Sequence, residues 1–108
     1  MLVYIAEVHA ADEWPINSTR CAGPGNSVRA HRSLSERMEA AVRMAAALQL
    51  QQGVPLLCDA MDDAFLRTYA AWPIRLYGVR DGGLELIAEP RGATFELPPF
   101  REWLLSGE

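Results

Sequence analysis

The sequence predicts an α/β domain, and three observations predict it. The opening run "LVYIAEV" is apolar on both alternations, as in a strand covered on both faces of a largely parallel sheet. One long amphipathic helix follows with clear start and stop signals. Near the other end, two β-rich runs, "IRLYGVR" and "LELIAE", flank Asp81-Gly82-Gly83, a strong hairpin signal. With 108 residues, half of them apolar, the chain reads as a single domain over 1–108 with one core.

Residues 2–8 make the first strand. Residues 9–32 form a long connection rich in Asp, Asn, Gly and Pro ("CAGPGNS"), of a length that in a small domain is usually functional or mobile. "SLSERMEAAVRMAAALQLQQG" is the helix. Ser33 and Glu36 have capping-box spacing, Gly53 supplies a stop, and Leu34, Met38, Ala41, Val42, Ala45 and Leu48 make one apolar stripe. Glu39 and Arg43 fall on the outer face at a favourable i, i+4 spacing. "VPLLCD" is a short strand that Pro55 assigns to a sheet edge. "DDAFLRTYAA" is a short helix started by an Asp cap and ended by Trp72-Pro73. After the hairpin, "LPPFREWLL" is a closing helix with proline in its first turn and Phe100, Trp103 and Leu104 on one face.

The bulk numbers exclude several classes. A net charge of −4 gives no electrostatic case for nucleic-acid binding. No apolar run approaches membrane-spanning length, and the start lacks the basic region of a signal peptide. Cys21 and Cys58 are far apart and outside any C-x-x-C pair, which points to a reduced, cytoplasmic chain. No ligand spacing among His9, His31, Asp12 and the cysteines supports a metal site.

The order strand, helix, short strand, short helix, hairpin, helix, with Pro73 just ahead of the first hairpin strand, suits a thioredoxin-like fold. There a proline at that place is commonly cis and faces the redox site. The motifs "YIAEVHAADEW", "AHRSLSERMEAA", "CDAMDD", "YAAWPIRLYGVRDGGLE" and "PRGATFEL" sharpen the reading. In order and spacing they resemble the iodothyronine deiodinase family, thioredoxin-fold selenoenzymes that reductively remove iodine from thyroid hormones and have bacterial relatives. Where the family usually reads Tyr-Ile-Glu-Glu-Ala-His, Tyr4, Ile5, Glu7 and His9 match, while Ala6 and Val8 depart. Where it reads Glu-Arg-Leu-Tyr, Ile74 replaces the Glu, and Arg75, Leu76 and Tyr77 are kept.

The resemblance also implies a segment ahead of this strand. In the family a strand and a helix come first, and their junction carries the catalytic selenocysteine or cysteine; this chain begins with Met1 directly on the second strand. The expected fold is therefore a truncated thioredoxin-like one, missing its first strand and helix. Residues 2–8 are expected either to pair directly with residues 74–80 or to leave edges for a homodimer. A gene reading that took a selenocysteine codon for a stop would begin at such a Met1, so the natural frame is expected to continue upstream.

By resemblance, His9 is the proton carrier at the carboxyl rim of its strand, and Glu7, two residues earlier, orients its imidazole. His31, just ahead of the capped helix, and Arg75 hold the substrate's two ends. A solvated loop histidine and an arginine paired with an acidic neighbour are the plainer readings of these two. Tyr4 joins His31 and Arg75 as a substrate-binding candidate, with a core residue as its plainer reading. Cys58 closes an apolar strand and reads as a small buried hydrophobe, with a resolving thiol as its functional alternative. Cys21 is the more exposed thiol, with only Arg20 nearby to activate it.

The expected function is that of a deiodinase-like redox protein. The complete enzyme would dehalogenate an iodinated aromatic through a selenenyl or sulfenyl intermediate, with thiols as reductant and no other cofactor. A halogenated phenol or a peroxide is an equally open substrate. The isolated chain is expected to be inactive. The alternative is a non-catalytic scaffold that binds a small aromatic or a protein partner.

Overall fold

A computed structural model of the chain describes residues 1–14, 28–72, 74–88 and 97–107. Their elements, in order, are β1 (Leu2–Tyr4), α1 (Leu34–Ala47), β2 (Leu56–Cys58), α2 (Ala64–Tyr69), β3 (Leu76–Arg80), β4 (Gly83–Ala88) and α3 (Leu97–Leu105). This is a mixed α/β chain with small sheets. It divides into two compact units, Met1–Trp72 and Pro73–Glu108.

In the first unit β1 and β2 pair in parallel, Leu2 with Leu56, Val3 with Leu57 and Tyr4 with Cys58. The strand stops at Tyr4 rather than running to residue 8. Asp59 N–H donates to the Tyr4 carbonyl (2.8 Å), and the chain then turns away toward α2, so residues 5–8 meet no further ladder. The α1 start is as the sequence indicates. Ser33 Oγ accepts the Glu36 N–H (3.2 Å), while the Glu36 carboxylate reaches back to the Arg32 N–H (2.7 Å). Its stop is different. Gln49 adopts a left-handed φ of 51°, and N–H groups of Gln49 and Leu50 return to the carbonyls of Ala46 and Ala45. That is a Schellman motif built on Gln49, four residues before Gly53.

The buried face of α1 also differs. Arg37, Ala40 and Ala41 are buried, whereas Leu34, Met38, Val42 and Leu48 are exposed. Small alanines let the helix approach closely, and the core is Tyr4, Ala40 and Ala41 with Val28, Met44, Leu56 and Cys58 packed against it. Ahead of α2, Asp63 has φ 58° and makes no side-chain cap. Buried Asp59 supplies it instead, accepting the Phe65 and Leu66 N–H groups at 2.9 and 3.0 Å.

In the second unit β3 and β4 form an antiparallel hairpin. Its turn is Asp81-Gly82, both at positive φ (52° and 76°), as a two-residue type I′ turn requires. A bulge between Gly78 and Val79 leaves Glu85 unpaired in the ladder. Its carboxylate accepts the Trp103 indole N–H (2.8 Å) and pairs with Arg80 (3.2 Å), whose guanidinium lies 4.9 Å from the Trp103 ring. Thus α3 is fastened to the hairpin by one aromatic residue.

Among the described residues β1 pairs only with β2, and β3 only with β4. No helix among them is long and apolar enough to cross a membrane.

Candidate functional site

The end of β1 carries a small polar network. The Tyr4 hydroxyl donates to Glu7 Oε1, and the Tyr4 ring lies 5.5 Å from the His31 ring at a tilt of 45°. Glu7 is half-buried, and desolvation pushes its carboxyl above the ordinary 4.5. His31 Nδ1 accepts a hydrogen bond from Arg37 Nε–H (3.3 Å), and its Nε2 is buried without a partner among the described residues. Desolvation first, then the positive charge of Arg37 and, more weakly, that of Arg43, hold the imidazole below its usual 6.5; Glu36 opposes them.

Arg37 is the hub of this network, and reading the sequence missed it. It is 3% exposed. Its Nη1 donates to the carbonyls of Asp59 (3.2 Å) and Ala60 (2.8 Å), and its Nη2 lies 3.1 Å from Asp63 Oδ1. A buried arginine persists only when its donors are spent in this way. The available signal was its position on the alanine face, with Ala40, Ala41 and Met44 at i+3, i+4 and i+7.

His9 sits in the turn beyond β1. Its Nδ1 donates to the Trp14 carbonyl (3.1 Å), since a carbonyl can only accept, and the ring lies 4.6 Å from the Trp14 ring. Glu7 does not bond His9: its partner is Tyr4, and the Trp14 carbonyl takes the orienting role. The turn closes on the buried Ala10, whose carbonyl accepts N–H groups from Glu13 and Trp14. Asp12 then ties it to the segment that carries His31. It accepts the Ala30 N–H (2.8 Å), with Arg29 and Arg32 at 3.6 and 3.8 Å, and the backbone bond leads in holding its carboxyl below 3.8. Ala11 N–H adds a bond to the Val28 carbonyl (2.9 Å).

The structure thus joins Tyr4, Glu7 and His31, and laces the His9 turn to the His31 segment. Arg75 lies in the second unit, where its guanidinium donates to the Ile74 carbonyl (2.8 Å). Cys58 is a free thiol packed against the core, and desolvation pushes it above 9.0 against a weaker pull from Arg37. A thiol held protonated is a poor nucleophile. Cys21, the "CAGPGNS" stretch, Pro73 and residues 89–96 lie outside the described residues. Among the described ones no group of three His, Cys, Asp or Glu could hold a metal ion.

These positions fall on a known sequence pattern. The family model described as Iodothyronine deiodinase matches residues 1–106. The chain is 34% identical over 82 residues to type I iodothyronine deiodinase of Xenopus laevis, covering 76% of this chain and 29% of that protein. It is 32% identical over 104 residues to thyroxine 5-deiodinase of Aquarana catesbeiana, covering 96% and 36%. It is 31% identical over 87 residues to type II iodothyronine deiodinase of Petromyzon marinus, covering 81% and 28%. The chain therefore spans about a third of the length of these curated relatives. With the family pattern running over residues 1–106, almost from end to end, the chain belongs to the iodothyronine deiodinase family.

Proposed function

We propose that residues 1–108 form part of a thioredoxin-like domain and provide the acid–base and substrate-holding face of a reductive dehalogenase acting on an iodinated aromatic. The observation that carries this reading is the linked pair of histidine segments, His9 and His31, in a chain matching the deiodinase family over residues 1–106. With His9 Nδ1–H spent on Trp14, its Nε2 is the nitrogen that takes up a proton from solvent and passes it to the aryl carbon, while the selenol or thiol takes the iodine as a selenenyl or sulfenyl iodide. His31 and Arg75 each take a polar group of the substrate, and the Tyr4 ring, its hydroxyl bonded to Glu7, packs beside His31. The selenol or thiol nucleophile is the part that the family resemblance assigns to a strand–helix segment outside residues 1–108; Cys58, held protonated, is a poor substitute for it. The selenenyl or sulfenyl intermediate is reset by thiols. A cytoplasmic protein, dimeric through the free strand edges, completes the proposal.

The test separates binding from turnover. The 108-residue chain should bind 3,5-diiodotyrosine, which has a phenol at one end and an amino acid at the other, and His31→Gln and Arg75→Gln should each weaken binding about tenfold, the worth of one good hydrogen bond. With a dithiol present it should release no iodide. Absence of binding overturns the proposal, as does iodide release that survives replacing both Cys21 and Cys58 by serine.

A further inference from the structure

The orphaned Nε2 of His31 has a structural origin one residue away in space. A guanidinium carries only donors, so the Arg37 Nε–H contact requires a lone pair on His31 Nδ1. An imidazole with Nδ1 unprotonated is neutral, and its single proton sits on Nε2. Arg37 has no freedom to turn away. Its Nη1 donates to the carbonyls of Asp59 and Ala60 and its Nη2 forms an ion pair with Asp63, so α1 and the segment after β2 fix the Nε–H direction. On the opposite side the Tyr4 ring limits the imidazole plane, with the Tyr4 hydroxyl committed to Glu7.

We propose that Arg37 is a positioning residue that locks His31 as the neutral Nε2–H tautomer, so that His31 meets a bound ligand as a hydrogen-bond donor and not as a base. The charged groups acting on His31 are consistent with this. Arg37 and Arg43 disfavour a cation, Glu36 alone favours one, and the ring is partly desolvated. A buried N–H without a partner is costly to leave unmade, which gives a ligand atom something to satisfy. The complementary group is an acceptor with no proton of its own to offer, such as a phenolate or carboxylate oxygen. The ligand part of this inference rests on the proposed function; the tautomer part does not.

The experiment is nitrogen-15 NMR of the histidine side chains in the ligand-free 108-residue chain at neutral pH. His31 should show a pyridine-like Nδ1 and a pyrrole-like Nε2. Arg37→Lys keeps the charge but loses the fixed fork, and should turn His31 into a mixture of tautomers and raise its titration toward the ordinary histidine range. A merely structural arginine would leave the tautomer unchanged. Arg37→Lys removes several ties and can unfold the chain, in which case the wild-type spectrum decides alone. Protonation at Nδ1 overturns the proposal, and so does an unchanged tautomer in a folded Arg37→Lys variant. Adding 3,5-diiodotyrosine then tests the other reading. An Nε2–H tautomer that the diiodotyrosine does not perturb leaves Arg37 in its role and removes His31 from the substrate clamp.

Discussion

Glu7 takes its hydrogen bond from Tyr4 and not from His9. The carboxylate therefore answers to the core and not to the turn beyond the strand. Tyr4→Phe removes that donor and leaves a half-buried charge short of one partner. The variant should lose about 1–2 kcal/mol in urea denaturation at neutral pH. Since the lost bond favoured the charged form, the Glu7 carboxyl should rise further. The deficit should shrink as pH falls and Glu7 protonates in both variants.

Asp59 joins three parts of the first unit. Its N–H extends the ladder from Tyr4, its carbonyl receives Arg37, and its carboxylate caps α2. Asp59→Ala should cost about 2 kcal/mol, the loss of a helix cap made of two bonds to a charged acceptor. Asp59→Asn keeps one acceptor oxygen and should cost less. Equal midpoints for the two variants in urea would remove the capping role.

At Gly78 the Trp103 ring of α3 packs against the hairpin backbone. A Cβ there would lie 2.9 Å from carbons of the Trp103 ring, closer than such atoms pack. Gly78→Ala should cost about 1–3 kcal/mol through displacement of that ring. The Trp103 indole N–H resonance, now bonded to Glu85, should move with it.

His31 makes stability depend on pH with a definite sign. Its folded pKa lies below 6.5, so between the folded value and 6.5 the unfolded chain binds more protons. Its contribution is whole above 6.5 and is lost as pH falls through that window. Glu7, raised above 4.5, acts the other way: its contribution is whole below 4.5 and is lost as pH rises through its folded value. Urea midpoints measured from about pH 7.5 down to about 5.5 should fall in the wild type and fall less in His31→Asn. Parallel slopes would show that the two states of His31 titrate alike.

What the sequence could reveal followed the range of the contacts. The Ser33 cap and the Asp81-Gly82 turn are local, with partners within a few residues, and both were legible. The end of β1 was not, because Asp59 decides it from far along the chain. The apolar stripe of Leu34, Met38 and Val42 pointed to the wrong face of α1, since hydrophobicity alone does not show that alanines grant the closer approach. At the site, His9, His31, Glu7 and Tyr4 were visible as residue types. Their partners were not: Trp14 acts through its carbonyl, and Arg37 is held by two carbonyls that no motif announces.

The register of β1 on β2 has a consequence for how the molecule is made. Leu2 pairs with Leu56, roughly fifty residues away, whereas the β3–β4 hairpin closes over two residues. On a folding timescale the hairpin can form within about ten microseconds, before the first strand has found its neighbour. Tyr4 can reach its place beside His31 only after that distant pairing, and the Asp59 carbonyl awaiting Arg37 arrives with the same step. The polar network is thus assembled late and as a unit. During synthesis β1 is without this partner until residues 56–58 emerge, a stretch in which a chaperone would find it unguarded.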